Sequence, residues 1–246
     1  MPDNLFIFIA IGFVSQIIDG ALGMAFGVLT TTSLLTFGVS PATASAMTHV
    51  TEIFTTAASG ASHVYHRNID WRLVARLAPA GMLGGATGAY ILVSLESDVI
   101  GQLVSIYLCA VGFYILVKAF RPVWPREIRG RIILVIGALG GFLDAVGGGG
   151  WGSIVSGSLI GRGHAPRKVI GSTNLTEFLV TAVISATFIA TLGWSELSSA
   201  VGLIIGGIIA APIGGYLVSR VPTKPMMIAV GIVIVTISAP RVLGGV

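Results

Sequence analysis

The chain has 246 residues, of which 54% are hydrophobic and only 10% charged, with a mean hydropathy of +0.94. A soluble domain carries about 25% charged residues, so this composition excludes water as the main solvent. The net charge of +4 is accounted for by basic loops at a membrane surface, so no nucleic-acid partner is needed.

Apolar runs at Leu5–Ile18, Leu103–Val117, Leu175–Leu192 and Met226–Ile237 approach the roughly 20 residues that a helix needs to cross hydrocarbon. They are apolar all round rather than alternating, which predicts helices and not a barrel. The first ten residues hold no Lys or Arg and no small-residue cleavage site follows, so no removable signal peptide is expected. In chain order the expected elements are a broken helix pair over 5–37, spans over 41–62, 72–94 and 99–119, and a second broken pair over 132–160. Spans over 166–192, 196–219 and 225–240 follow. The fold class is thus an all-α integral membrane protein of one membrane domain, with a first repeat at 1–120, a basic cytoplasmic linker at 121–131 and a second repeat at 132–246.

The division into repeats comes from sliding the chain against itself by 125 residues, which pairs 19–54 with 144–179 without a gap. Ten positions coincide: Asp19/Asp144, Gly23/Gly148, Gly27/Gly152, Ser33/Ser158, Leu34/Leu159, Gly38/Gly163, Pro41/Pro166, Thr48/Thr173, Thr51/Thr176 and Glu52/Glu177. Chance would give roughly two or three. A shift of 126 then pairs Gly81–Tyr90 with Gly207–Tyr216. Such internal repeats are the signature of many transporters.

Lys and Arg collect in short cytoplasmic loops, and here they fall in four places. These are Arg67, Arg72 and Arg76; Lys118, Arg121, Arg126, Arg129 and Arg131; Arg162, Arg167 and Lys168; and Arg220 and Lys224, with Arg241 the one exception. Both flanks of 132–160 are therefore cytoplasmic. Each side of its break is read as about a dozen residues, roughly 18–20 Å of helix against roughly 30 Å of hydrocarbon, so a re-entrant pair is expected. The pair over 5–37 then enters from the opposite face, which makes the repeats inverted and puts both termini outside the cytoplasm, in a multi-pass protein of the cell inner membrane.

Two constellations carry chemistry. The breaks are Asp19-Gly20-Ala21-Leu22-Gly23 and Asp144 through Gly147, Gly148, Gly149, Gly150 and Trp151 to Gly152. Irregular backbone at membrane depth is tolerated only when buried in protein or facing a wet cavity, and the following half-helices would aim free N–H groups at an anion. The aspartates can equally serve as N-caps of those half-helices. The second constellation is Thr48-His49-x-Thr51-Glu52 and its copy Thr173-Asn174-x-Thr176-Glu177, where carboxylates at mid-membrane cost roughly 3 kcal/mol or more and mark function by default. Gly147, Gly149 and Gly152 also satisfy G-x-G-x-x-G, but no strand precedes them, so a dinucleotide site is set aside. Gly81, Gly84, Gly85 and Gly88, with Gly207, Ala210, Ala211 and Gly214, read as helix contacts, Trp71 and Trp194 as interfacial anchors, and Cys109 as packing. No Ser/His/acid set is arranged as a nucleophile unit, so an enzyme is not expected.

The segments Gly12–Gly27, Pro41–Glu52, Gly140–Gly152 and Pro166–Glu177 together resemble the sulfite exporter TauE/SafE family of membrane permeases over nearly the whole chain. The resemblance implies transport, usually outward, of a small sulfur-containing anion such as sulfite, sulfoacetate or another organosulfonate. The expected mechanism is alternating access between the breaks. Gly20, Gly23, Thr48, Thr51, Gly147, Gly148, Gly149, Gly150, Trp151, Thr173, Asn174 and Thr176 would bind the anion. Asp19, His49, Glu52, Asp144 and Glu177 would couple a proton or cation, with no cofactor. One departure matters: His49 is the single candidate cation among four acids, and half-helix dipoles supply only about half a charge each. The alternative is a cation or divalent-metal transporter in which those five residues are the ligands. The partners are then a small solute and the lipid bilayer, with homo-oligomerisation left open.

Overall fold

The computed structural model describes residues 5–22, 24–95, 97–120, 130–160, 166–194, 200–217 and 222–243. Gly23, most of the basic linker and the loop around Gly163 lie outside the described residues. The chain is helical, and among the described residues there is no strand: α1 Leu5–Leu22, α2 Phe26–Thr36, α3 Pro41–Tyr65, α4 Trp71–Ser94, α5 Ser97–Lys118, α6 Gly130–Gly147, a π-helical turn at Gly152–Ser156, α7 Gly157–Ile160, α8 Pro166–Leu192, α9 Ala200–Leu217 and α10 Thr223–Val242. Among the described residues, five stretches are long and apolar enough to cross a membrane: Trp71–Ser94, Ile100–Lys118, Gly130–Gly147, Arg167–Leu192 and Lys224–Val242. The protein is an integral membrane protein. α3 is not among the five, although it has 25 residues, because Thr48, His49, Thr51 and Glu52 on it are polar. All four are buried in the bundle.

Local signals set the ends. Ser40 caps α3 by accepting from the Thr43 N–H (3.2 Å) with Pro41 at its first turn, and Asp70 caps α4 by accepting from Arg72 and Leu73. The break after α6 is made by Gly148, Gly149 and Gly150 at φ +67°, +138° and +143°, a left-handed path that L-residues with a Cβ resist. One expectation is corrected here. The arms of each broken pair are unequal: α1 and α6 have 18 residues each against 11 in α2, so the first arm is about 27 Å long. Neither Asp19 nor Asp144 ends its helix, because each side chain folds forward past the end of its own arm and leaves the backbone helical.

Packing follows the small residues. Gly84 and Gly88 of α4 meet the backbone of Ala138 and Phe142 on α6, and Gly141 of α6 meets that of Gly81, so that a Cβ on any of these three would collide. A similar contact joins α1 to α9, with Gly12 on the backbone of Leu203 as Gly137 sits on that of Leu77. On α9 the close approaches to α1 are made by Gly202 and Gly206, whereas Gly207 faces Thr55. The apolar core runs through Leu77, Leu92, Val180, Ile184, Phe188 and Leu203. Trp71 and Trp194 are exposed at 63% and 62%, at the α4 start and just before α9.

The basic segments touch one another. Lys168 donates to the carbonyls of Arg67 and Ile69 (2.9 and 3.1 Å), and Arg167 Nε donates to Asn68 Oδ1 (2.6 Å). The Arg76 guanidinium lies against Gly130, and the Lys224 ammonium sits 4.6 Å from the centre of the Phe120 ring.

Candidate functional site

Both breaks are bridged in the same way. Asp19 Oδ1 accepts from the Phe26 N–H (3.1 Å), and Asp144 Oδ1 accepts from the Trp151 N–H (2.8 Å). Each bond spans seven residues, from the last turn of one arm to the first residue of the next, and satisfies an N–H that no helical carbonyl reaches. The carboxylates therefore cap across the gap.

The two breaks meet. Gly27, in the first turn of α2, packs against Gly149 so closely that a Cβ on either would strike the other's backbone. Thr31 Oγ1 donates to the Gly148 carbonyl (2.5 Å), Tyr107 OH to the Gly149 carbonyl (2.9 Å), and Ser45 Oγ to the Ala145 carbonyl (2.6 Å). Because Thr31 gives its only hydrogen to Gly148, its 3.0 Å contact with Thr48 Oγ1 has Thr48 as donor. The mirror contact joins Ser156 Oγ to Thr173 Oγ1 (2.7 Å), but there Thr173 passes its hydrogen to the Val169 carbonyl of its own helix (2.9 Å).

His49 bears on the second break alone. Its Nδ1 is 2.7 Å from the Ser45 carbonyl and 3.3 Å from Ser45 Oγ, whose hydrogen is already given to Ala145. Both neighbours can only accept, so Nδ1 carries a proton. Nε2 lies 3.3 Å from Asp144 Oδ2, and that contact is attractive only if a proton sits between them. The pair is then imidazolium with carboxylate or imidazole with carboxylic acid, and its net charge is zero either way. His49 and Asp144 are 0% and 1% exposed, so the contact is closed to water.

Glu52, one turn further along α3, is buried, and among the described residues its Oε2 has no hydrogen-bond partner. Its Oε1 borders the point where Gly27 meets Gly149, and Asp144, Glu177 and Asp19 all lie close enough to act on it electrostatically. Trp151 is fully buried; its indole Nε1–H donates to the Thr173 carbonyl (3.2 Å), and its ring packs on Gly81. Gly147 and Gly150 abut Tyr107. Gly20 and Glu177 are half-buried. Other residues are placed differently. Thr51 and Thr176 donate to carbonyls four residues back on their own helices, and Asn174 donates to Ser59 (2.8 Å) two turns beyond Glu52 on α3. Among the described residues, no group of three or more His, Cys, Asp or Glu is placed to hold a metal ion.

The model of the family described as Sulfite exporter TauE/SafE matches residues 8–240. The chain belongs to that family. The transporter is 39% identical over 245 residues to "Probable membrane transporter protein YtnM" of Bacillus subtilis (strain 168), covering 96% of this chain and 82% of the relative. It is also 24% identical over 223 residues to "Probable membrane transporter protein YjnA" of the same organism, covering 84% and 87%. No solved structure matches it. Thr31, Ser45 and Tyr107 were not singled out in the sequence. Thr31 was legible, since the repeat aligns it with Ser156 and keeps a hydroxyl at both positions; Tyr107 lies in an apolar run with no local signal.

Proposed function

We propose that the protein exports a small sulfur-containing anion, sulfite or an organosulfonate such as sulfoacetate, by alternating access at the crossing of the two breaks. The observation that carries this reading is the direct contact of Gly27 with Gly148–Gly149 beside an unpartnered Glu52 oxygen. Here the first turns of two half-helices converge, and the positive ends of their dipoles favour an oxyanion. The His49–Asp144 proton and Glu52 handle the coupling. Protonating Glu52 removes a negative charge from the crossing, so a proton and an anion enter the site together.

Inverted, re-entrant repeats are part of the proposal. The contacts of Lys168 with the Arg67 loop, Arg76 with Gly130 and Lys224 with Phe120 support one shared basic face, to which 130–166 returns after its break. The paired contacts of Gly12 with Leu203 and Gly137 with Leu77 support two equivalent halves, and the positive-inside rule assigns the basic face to the cytoplasm of the cell inner membrane.

Flux of labelled sulfite and sulfoacetate in proteoliposomes under an imposed pH gradient tests it. Asp144→Asn keeps an oxygen for the Trp151 N–H and offers an N–H to His49 Nε2, so the fold persists while the titratable proton is lost. We expect transport to fall at least tenfold and to lose its dependence on the gradient. Undiminished, still pH-driven flux in Asp144→Asn would overturn the coupling. A stoichiometric divalent ion that leaves on Glu52→Gln, with no anion flux in the unaltered protein, would establish the cation reading instead.

A further inference from the structure

The acids at the crossing leave an anion without a fixed counter-charge, and α5 supplies one. Lys118 closes that helix, a place from which lysines ordinarily snorkel to water. Its ammonium instead lies 3.8 Å from the Met24 thioether, within the first break, and against Gly157 at the start of α7, where an added Cβ would come within 2.5 Å of Nζ. Met24 and Gly157 are both buried. A thioether is a weak acceptor, and among the described residues no carboxylate forms an ion pair with Lys118. A half-buried ammonium in these surroundings is incompletely compensated.

The same face of α5 continues to the crossing. Tyr107, Tyr114 and Lys118 stand at i, i+7 and i+11, which stacks them along one stripe about 16 Å long. Tyr107 reaches the Gly149 carbonyl, while the Tyr114 hydroxyl and Lys118 both adjoin Gly157. Lys118 and Tyr114 also border an open groove of about 370 Å³, whose other lining residues, Ala110, Phe113 and Val117, are likewise on α5.

We infer that Lys118 is the anion-capture residue of the transport path, which binds a small oxyanion at the basic face before it passes along the α5 stripe to the glycine crossing. This rests on the proposed anion transport. A compact ammonium with three donors suits an oxyanion and attracts it over a distance.

The test is equilibrium binding by the purified full chain of sulfite, sulfoacetate, sulfate and inorganic phosphate, at low and high salt, with flux in vesicles of phosphatidylcholine alone and with added phosphatidylglycerol. Lys118→Met is expected to weaken binding at least tenfold and to raise the half-saturating concentration more than it lowers the maximal rate. Lys118→Arg should retain most of the affinity. Gly157→Ala, which keeps the charge but displaces the ammonium, should weaken binding several-fold and guards against misfolding of Lys118→Met. Unchanged affinity in Lys118→Met and Gly157→Ala overturns the inference. So does a defect seen only with phosphatidylglycerol present, because the ammonium then serves a lipid phosphate. If the unaltered protein binds sulfate or phosphate but no sulfite or sulfonate, and Lys118→Met loses that binding, the capture role stands and the sulfur substrate falls. If it binds none of the four, both fall.

Discussion

The two breaks share a scaffold and differ in what surrounds it. At each, an aspartate reaches seven residues ahead to an orphan N–H. The second break is then locked from all sides: Asp144 gives its other oxygen to His49, Tyr107 and Thr31 hold the carbonyls of Gly149 and Gly148, and Trp151 plugs the core. Among the described residues, Asp19 has only its backbone bond. Ala25 there adopts φ 98° where the second break has a glycine, and the half-buried Lys118 ammonium stands beside Met24. Two alike backbone breaks thus sit among unlike neighbours, the second held by side chains of α2, α3 and α5 and the first, among the described residues, by its own aspartate.

Substitutions at matched positions can break or sharpen that contrast. The largest effect belongs to Gly149→Ala, since a Cβ there meets the Gly27 backbone at a φ of +138°; no monodisperse protein should be recovered on size-exclusion chromatography. Next come the aspartates. Asp144→Ala strands His49 and should cost about 3 kcal/mol, whereas Asp19→Ala removes one cap at about 1 kcal/mol. Equal losses in denaturant unfolding would show the breaks to be alike. Glu52→Gln should leave stability nearly level, since among the described residues Glu52 Oε2 has no hydrogen bond to lose, while transport drops; a clear loss of stability would mean that Glu52 is structural. The smallest effect is Ala25→Gly, expected to stabilise by about 0.5 kcal/mol as relief of the left-handed backbone outweighs glycine's entropy. A destabilisation would show that the methyl group, buried at 7% exposure, matters more than the strain.

Much of this was legible in the residues. Composition, apolar length and clustered Lys and Arg gave the membrane and the helix order, because solvation in lipid acts on every residue and leaves a regular imprint. The repeat singled out Asp19/Asp144 and Glu52/Glu177 by position. Sequence spacing misjudged the arms of the broken pairs, since an aspartate that caps across a gap looks the same as one that ends a helix. Nor does spacing tell that Thr51 and Thr176 donate to carbonyls of their own helices or that Asn174 donates to Ser59.

By itself, then, the sequence determined that apolar helices lie in a membrane, and that two stretches of the chain align on one another with acids at the same positions. Only the tertiary structure decided that the breaks touch, that His49 chooses Asp144 rather than its own helix neighbour Glu52, and that Lys118 turns inward. These depend on which helices cross and at what rotation, and that is set by Gly27, Gly81, Gly84 and Gly88 letting backbones approach. A hydrogen bond between residues 95 apart leaves no local trace, because its geometry exists only once the helices have packed.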